Sequence, residues 1–181
     1  MILGTAYSLP PIRLKRFPFW STFCILAVRG VVVNFGLYWH FLAGTGLGPA
    51  TPPHLLALVG FMIGLSMAIA WFKDVPDVAG DRRFRIFTLA VRLGVRRILQ
   101  VGLGLLTLVY LGMLFWGFTA GSGLQPLAAG LFHAGLLAGL HRKARRVNPN
   151  DLASLTRYYR FIWLLFYLEY LAYPLLHYLG R

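Results

Sequence analysis

Long apolar stretches recur along this chain, and short polar stretches separate them. Five of them reach the length of a membrane crossing, at about residues 17–42, 54–72, 98–118, 124–140 and 161–178. A helix needs about 20 mostly apolar residues to cross about 30 Å of hydrocarbon. Membrane-spanning strands are shorter and alternate in polarity, and no such alternation runs through these stretches. The pattern therefore predicts an all-α fold: a polytopic transmembrane helix bundle of five spans, in one domain over residues 1–181.

The polar connections alternate in charge. Arg13, Lys15 and Arg16 precede the first span. The connection 43–53 has no Lys or Arg, whereas 73–97 holds Lys73, Arg82, Arg83, Arg85, Arg92, Arg96 and Arg97. The connection 119–123 has none, and 141–160 holds Arg142, Lys143, Arg145, Arg146, Arg157 and Arg160. Only the terminal Arg181 breaks the alternation. Because Lys and Arg collect in cytoplasmic loops, the pattern predicts a multi-pass protein with its N-terminus and both long basic connections on the cytoplasmic side. Residues 1–11 carry no positive n-region and no long apolar run follows directly, so no cleavable signal peptide is expected.

Composition narrows the class further. Apolar residues make up 58% and charged residues 13%, against roughly 45–50% and about 25% in soluble domains. Disorder and an ordinary soluble domain are both excluded. The net charge of +13 reads as topology signal beside anionic headgroups, not as a nucleic-acid surface. The single cysteine, Cys24, excludes an internal disulfide and a cysteine-only metal cluster; it reads as a small buried hydrophobe. Gly60 with Gly64, and Gly135 with Gly139, have the spacing that lets helix backbones approach. Trp20, Tyr38, Trp39, Trp71, Trp116 and Tyr178 lie near span ends, where aromatic belts form.

The chemistry lies with the acids, of which the chain has five: Asp74, Asp77, Asp81, Asp151 and Glu169. Three of them fall in Lys73-Asp74-Val75-Pro76-Asp77-Val78-Ala79-Gly80-Asp81-Arg82, just past the second span. Spacings of three and four residues would put all three on one face if the segment were helical, although Pro76 limits its regularity. Like charges this close need positive charge among them. Lys73, Arg82 and Arg83 can supply it, and so can a divalent cation. Mg²⁺ takes one or two carboxylates, keeps waters, and is completed by substrate phosphates. A solvated, charge-balanced turn is the competing reading.

Other polar residues stand out by position. Arg29 and Asn34 lie inside the first span, where a charged group is expected to face the bundle or a wet cavity. Glu169 lies midway through the fifth span, with Arg29 or His40 as expected partners and a hydrogen-bonded structural role, the alternative being proton handling. None of the five histidines has a metal-ligand spacing. Asp151 is expected to cap a short helix ahead of the fifth span.

The stretch from Ala70 through Lys73, Asp74, Pro76, Asp77, Gly80, Asp81 and Arg82 resembles the second aspartate motif of UbiA-type intramembrane aromatic prenyltransferases, in the form of the homogentisate prenyltransferase branch. Tyr7-Ser8-Leu9-Pro10-Pro11-Ile12-Arg13-Leu14-Lys15 resembles the loop ahead of that family's fifth helix, and Val28-Arg29-Gly30 through Asn34-Phe35-Gly36 resembles the helix itself. Phe161-Ile162-Trp163-Leu164-Leu165-Phe166-Tyr167-Leu168-Glu169-Tyr170 resembles the last helix of the branch.

The resemblance implies nine helices around a cavity, of which these five spans would be the fifth to the ninth. It also implies transfer of a prenyl group from a prenyl diphosphate to an aromatic acceptor such as homogentisate, within a lipid bilayer. By that likeness Asp77 and Asp81 would be the core Mg²⁺ carboxylates, with Asp74 as a further ligand or a group behind them. Lys73 and Arg82 would neutralise diphosphate oxygens, and Arg29 and Asn34 would face the cavity. The family's first motif, Asn-x-x-x-Asp-x-x-x-Asp, has no counterpart here, since no acid precedes Asp74. The expectation is a C-terminal half that works with a separate N-terminal half or further helices. The alternative is a non-catalytic membrane module that binds lipid diphosphate or partner helices.

Overall fold

The computed structural model describes residues 2–9, 14, 17–46, 48, 50–85 and 87–178. Pro10, Pro11, Ile12, Arg13, Lys15, Arg16 and Arg181, to which the loop resemblance and part of the charge pattern refer, lie outside the described residues. Regular structure among the described residues is helical throughout. The chain forms two compact units, Met1–Ala70 and Trp71–Arg181.

The first unit opens with α1 (Ile2–Ser8), which packs on α2 (Pro18–Leu26). Pro18 at the start of α2 sits where a missing N–H costs nothing. The helix continues through a π-helical stretch, Ala27–Val32, into α3 (Val33–Ala43). A π-helical turn bonds i to i+5, and Val33 N–H donates to the Val28 carbonyl in this way. The side chain of Asn34 stabilises the widened turn: Nδ2 lies 2.9 Å from the carbonyls of both Arg29 and Gly30 and donates to each. Gly30 is needed at this turn, because a Cβ there would stand 2.5 Å from Ile63 on α4 (Pro53–Phe72).

The second unit holds two short helices, α5 (Val78–Arg83) and α6 (Leu89–Leu93), and three long ones: α7 (Val95–Ala120), α8 (Gln125–Ala144) and α9 (Leu152–Tyr178). Helix α8 packs on both α7 and α9, and α6 packs on both α5 and α7. The buried stripe of α7 is Ile98, Gly102, Leu106, Tyr110, Met113 and Gly117, at the three- and four-residue spacing of one helix face. Leu108, Phe115 and Phe118 on its other faces are largely exposed, as lipid contact requires. Lipid gives helices no hydrophobic reason to associate, so packing and polar bonds join them. Thr107 Oγ1 donates to the Leu103 carbonyl at 2.7 Å and accepts from His141 Nε2 at 3.0 Å, which ties α7 to α8.

Among the described residues, three helices are long and apolar enough to cross a membrane: Phe19–Ala43, Pro53–Phe72 and Val95–Ala120. They coincide with the first three predicted spans. Helices α8 and α9 have 20 and 27 residues but are less apolar, since α8 ends in His141, Arg142 and Lys143 and α9 contains Arg157, Arg160 and Glu169.

Three local expectations are corrected. No short helix precedes the last one. Asp151 instead caps α9 directly, accepting from Ala153 N–H and Ser154 N–H at 3.0 and 3.1 Å, so Arg157 and Arg160 are helical. Two of the paired glycines are not at close approaches: a Cβ at Gly60 or Gly135 would meet nothing within 4 Å, whereas one at Gly139 would meet Phe161 at 4.0 Å. Tighter approaches stand at Gly30, at Gly130 against Phe118, and at Gly102, where a Cβ would run into the ring of Phe72. Glu169 bonds to His133, and not to Arg29 or His40.

Candidate functional site

The acidic motif forms a turn followed by a short helix, not one helix. After Phe72 the backbone turns through Val75 N–H to the Phe72 carbonyl (3.2 Å) and Asp77 N–H to the Asp74 carbonyl (3.3 Å). Pro76 has no N–H to extend a helix. Val75 and Val78 are buried and anchor the turn. Asp77 is the residue at the start of α5, and its carbonyl accepts from Asp81 N–H at 2.8 Å. Only Asp77 and Asp81 are therefore related by a helical step, and Asp74 is set off by the turn at Pro76. This corrects the single-face expectation.

The three carboxylates differ in surroundings. Asp77 is exposed, and its side chain makes no capping bond, although it stands at a helix start. Asp81 is half-buried and accepts from Thr88 Oγ1 at 3.3 Å. The same Thr88 oxygen accepts from Val91 N–H and caps α6. Asp74 is half-buried beside Lys73, with Nζ 4.0 Å away. Burial pushes the Asp74 carboxyl up to about 6; Lys73 pulls it down, and the charges of Asp81 and Asp77 push it up again.

Basic groups close the site. Arg82 and Arg83 are exposed on the last turn of α5. Arg85 follows with φ of 55°, in the left-handed region, which few residues other than Gly, Asn and Asp adopt.

Among the described residues no three His, Cys, Asp or Glu side chains converge as a closed metal site. That suits Mg²⁺, which takes one or two carboxylates and leaves its remaining positions to water and phosphate. Asp77 and Asp81, one helical step apart with exposed Arg82 next in the chain, are the pair that could hold such an ion and the phosphates it carries.

Of the predicted site residues, the structure brings together Lys73, Asp74, Asp77 and Asp81; Arg82 follows Asp81 on α5 and is exposed. Arg29 and Asn34 belong to the first unit. The amide nitrogen of buried Asn34 is engaged by backbone carbonyls, which gives that residue a structural task. Sequence reasoning missed Thr88. A Thr just ahead of an apolar helical run is an N-cap signal, but nothing in the pattern links it to an aspartate seven residues earlier.

The UbiA prenyltransferase family profile matches residues 1–165. The chain is 45% identical over 175 residues to a homogentisate phytyltransferase of Synechocystis sp., covering 97% of this chain and 57% of that protein. It is 40% identical over 172 residues to a homogentisate solanesyltransferase of Arabidopsis thaliana, covering 94% and 45%. It is 37% identical over 176 residues to a homogentisate geranylgeranyltransferase of Triticum aestivum, covering 96% and 43%. The chain spans about half the length of these relatives. No solved structure matches it.

Proposed function

Since this chain belongs to the UbiA prenyltransferase family, we propose that it supplies the second aspartate motif and surrounding helices of a membrane enzyme that prenylates an aromatic acceptor. The acceptor is homogentisate and the donor a prenyl diphosphate, as the names of its relatives suggest. The product would be a precursor of tocopherol- or plastoquinone-type prenylquinones. The observation that carries the reading is the turn at 73–82, where Asp74 lies beside Lys73, and Asp77 and Asp81 stand one helical step apart with Arg82 next in the chain.

In this reading Asp77 and Asp81 hold Mg²⁺, and Asp74 is a further ligand or shapes their field. Bound Mg²⁺ supplies charge stabilisation to the departing diphosphate. Lys73 and Arg82 bind diphosphate oxygens from the protein side, and Thr88 keeps the Asp81 carboxylate aimed. Arg29 lines the cavity from its own helix, while Asn34 holds the π-helical turn that presents it. All five long helical stretches cross the bilayer, with the N-terminus and acidic motif on the cytoplasmic side. The residues before Asp74 contain no acid, so further helices, such as a separate N-terminal half, complete the diphosphate site.

The test is binding, then turnover. The chain in lipid nanodiscs should bind geranylgeranyl diphosphate only with Mg²⁺ present, and Asp77→Asn or Asp81→Asn should abolish that binding. Joined to the N-terminal part of the Synechocystis relative, the chain should prenylate homogentisate. The same substitutions should then cost about 10²–10³ in rate, the scale of a lost electrostatic stabiliser. Mg²⁺-dependent binding with no turnover in the joined protein would favour the non-catalytic module. No Mg²⁺-dependent binding at all would overturn the site.

A further inference from the structure

The last helix carries a second surface with its own chemistry, outside the acidic motif. Arg157, Arg160, Leu164, Tyr167 and Leu171 follow one another at three- and four-residue steps along α9, so they share one face. Leu164, Tyr167 and Leu171 are 50%, 57% and 69% exposed, and both arginines are exposed as well. Tyr158, Ile162, Leu165 and Glu169 are buried on the other side of the helix. The outward face is therefore cationic at its start and apolar beyond it.

More positive charge gathers at the cationic end. Arg142, Lys143, Arg145 and Arg146 stand exposed at the end of α8 and just past it. They lie level with Arg157 and Arg160, because Phe161 meets the last turns of α8. Lys143 Nζ is 5.8 Å from the centre of that ring, and a Cβ at Gly139 would stand 4.0 Å from it. Against these six cations the connection 141–160 has one acid, Asp151. Its carboxylate already caps α9 and lies 3.6 Å from Arg157. Membrane orientation asks only that basic residues lie somewhere in the connection. It does not ask that two of them fall in register above an outward apolar face. The face also has a fitting length. Leu171 is 11 residues beyond Arg160, about 17 Å at 1.5 Å per residue, and one leaflet contributes about 15 Å of hydrocarbon.

We propose that this face of α9 binds a membrane lipid with an anionic headgroup. The headgroup rests on Arg157 and Arg160 within the wider basic belt, and an acyl chain lies along Leu164, Tyr167 and Leu171. Charge selects the lipid, so a zwitterionic lipid with the same chains binds less well. The surface is separate from the diphosphate site and its occupancy needs no turnover.

The test uses the full chain in lipid nanodiscs. A small fluorophore on Leu171→Cys, in a Cys24→Ser background, reports contact with phospholipids brominated in their acyl chains, which quench it. Brominated phosphatidylglycerol should be preferred over brominated phosphatidylcholine about tenfold, given about fivefold for each basic residue near an anionic surface. High salt should shrink the preference. Arg157→Gln with Arg160→Gln should cut it at least about fivefold. Arg157→Lys with Arg160→Lys keeps the charge and should keep most of the preference, which separates lost binding from lost folding. Arg92→Gln with Arg96→Gln removes the same charge from α6 and α7 and should leave it within about twofold. Equal quenching by both lipids, or an equal loss in the Arg92 and Arg96 pair, would leave only general attraction and overturn the proposal. Quenching by neither lipid would show that another helix covers the face, and would overturn it too.

Discussion

Asp74 is the residue at which charge, burial and function meet. Its carboxyl stands at about 6 against an ordinary 3.8. Between those values the folded protein keeps a proton that the unfolded chain releases, so stability falls as pH rises from about 4 to 6 and the full penalty remains above 6. Asp74→Asn removes the penalty where it exists. We expect the variant to melt about 2–4 °C higher than the parent near neutral pH, the effect of roughly 1 kcal/mol in a chain this size. That gain should vanish by about pH 4. Melting curves of the chain in detergent at both pH values check this, and a gain that persists in acid would refute the burial account.

Thr88 can be tested at the same scale. Its hydroxyl bonds both Asp81 and the first turn of α6. Thr88→Ser keeps both bonds, and Thr88→Val keeps the shape but neither bond. Mn²⁺ affinity, read by electron paramagnetic resonance, should fall about tenfold in the Val variant, as is typical for groups that orient ligands, and return in the Ser variant. Equal affinity in both would leave Thr88 as a helix cap only. The aspartates of this site were legible in the sequence because three of five acids crowd into one short segment. Thr88 was not, because its bond to Asp81 depends on how the chain turns between α5 and α6.

At the scale of elements, glycine spacing alone did not locate the close approaches. Gly102 faces the ring of Phe72, whereas Gly60 faces open space. Gly102→Ala should therefore destabilise by about 1–3 kcal/mol, the cost of overpacking. Gly60→Ala should be neutral or slightly stabilising, since Ala is the better helix former. Denaturation of the two variants side by side decides the point, and an equal loss in both would contradict the packing described. The π-helical stretch is similar in kind. Its sequence, Ala-Val-Arg-Gly-Val-Val, reads as ordinary helix. Only the Asn34 side chain, reaching back to the carbonyls of Arg29 and Gly30, shows what supports the wider turn.

At the scale of the whole molecule the question is orientation. Alternation of basic and non-basic connections predicts Phe84 and Leu124, both strongly exposed, on opposite sides of the bilayer. In a Cys24→Ser background, Phe84→Cys should react with an impermeant thiol reagent from the cytoplasmic side and Leu124→Cys from the other. Labelling of both from one side would remove α7 from the set of spans. The same experiment at α8 and α9 tests the two helices whose polar residues take them out of the most apolar class. For α9 these residues are Arg157, Arg160 and Glu169, the last bonded to His133.

What the sequence by itself determined is local or additive: helical class, approximate helix ends, loop charge and the acidic motif. Each follows from composition over about 20 residues or from neighbours within one helical turn, and lipid punishes unsatisfied backbone so strongly that few alternatives survive. Tertiary structure alone decided the partner of Glu169, which lies 36 residues away on another helix, the glycines at which helices touch, the hydroxyl that orients Asp81, and the rise at Asp74. These depend on which faces meet across helices, and many pairings of similar apolar helices satisfy the same sequence pattern equally well.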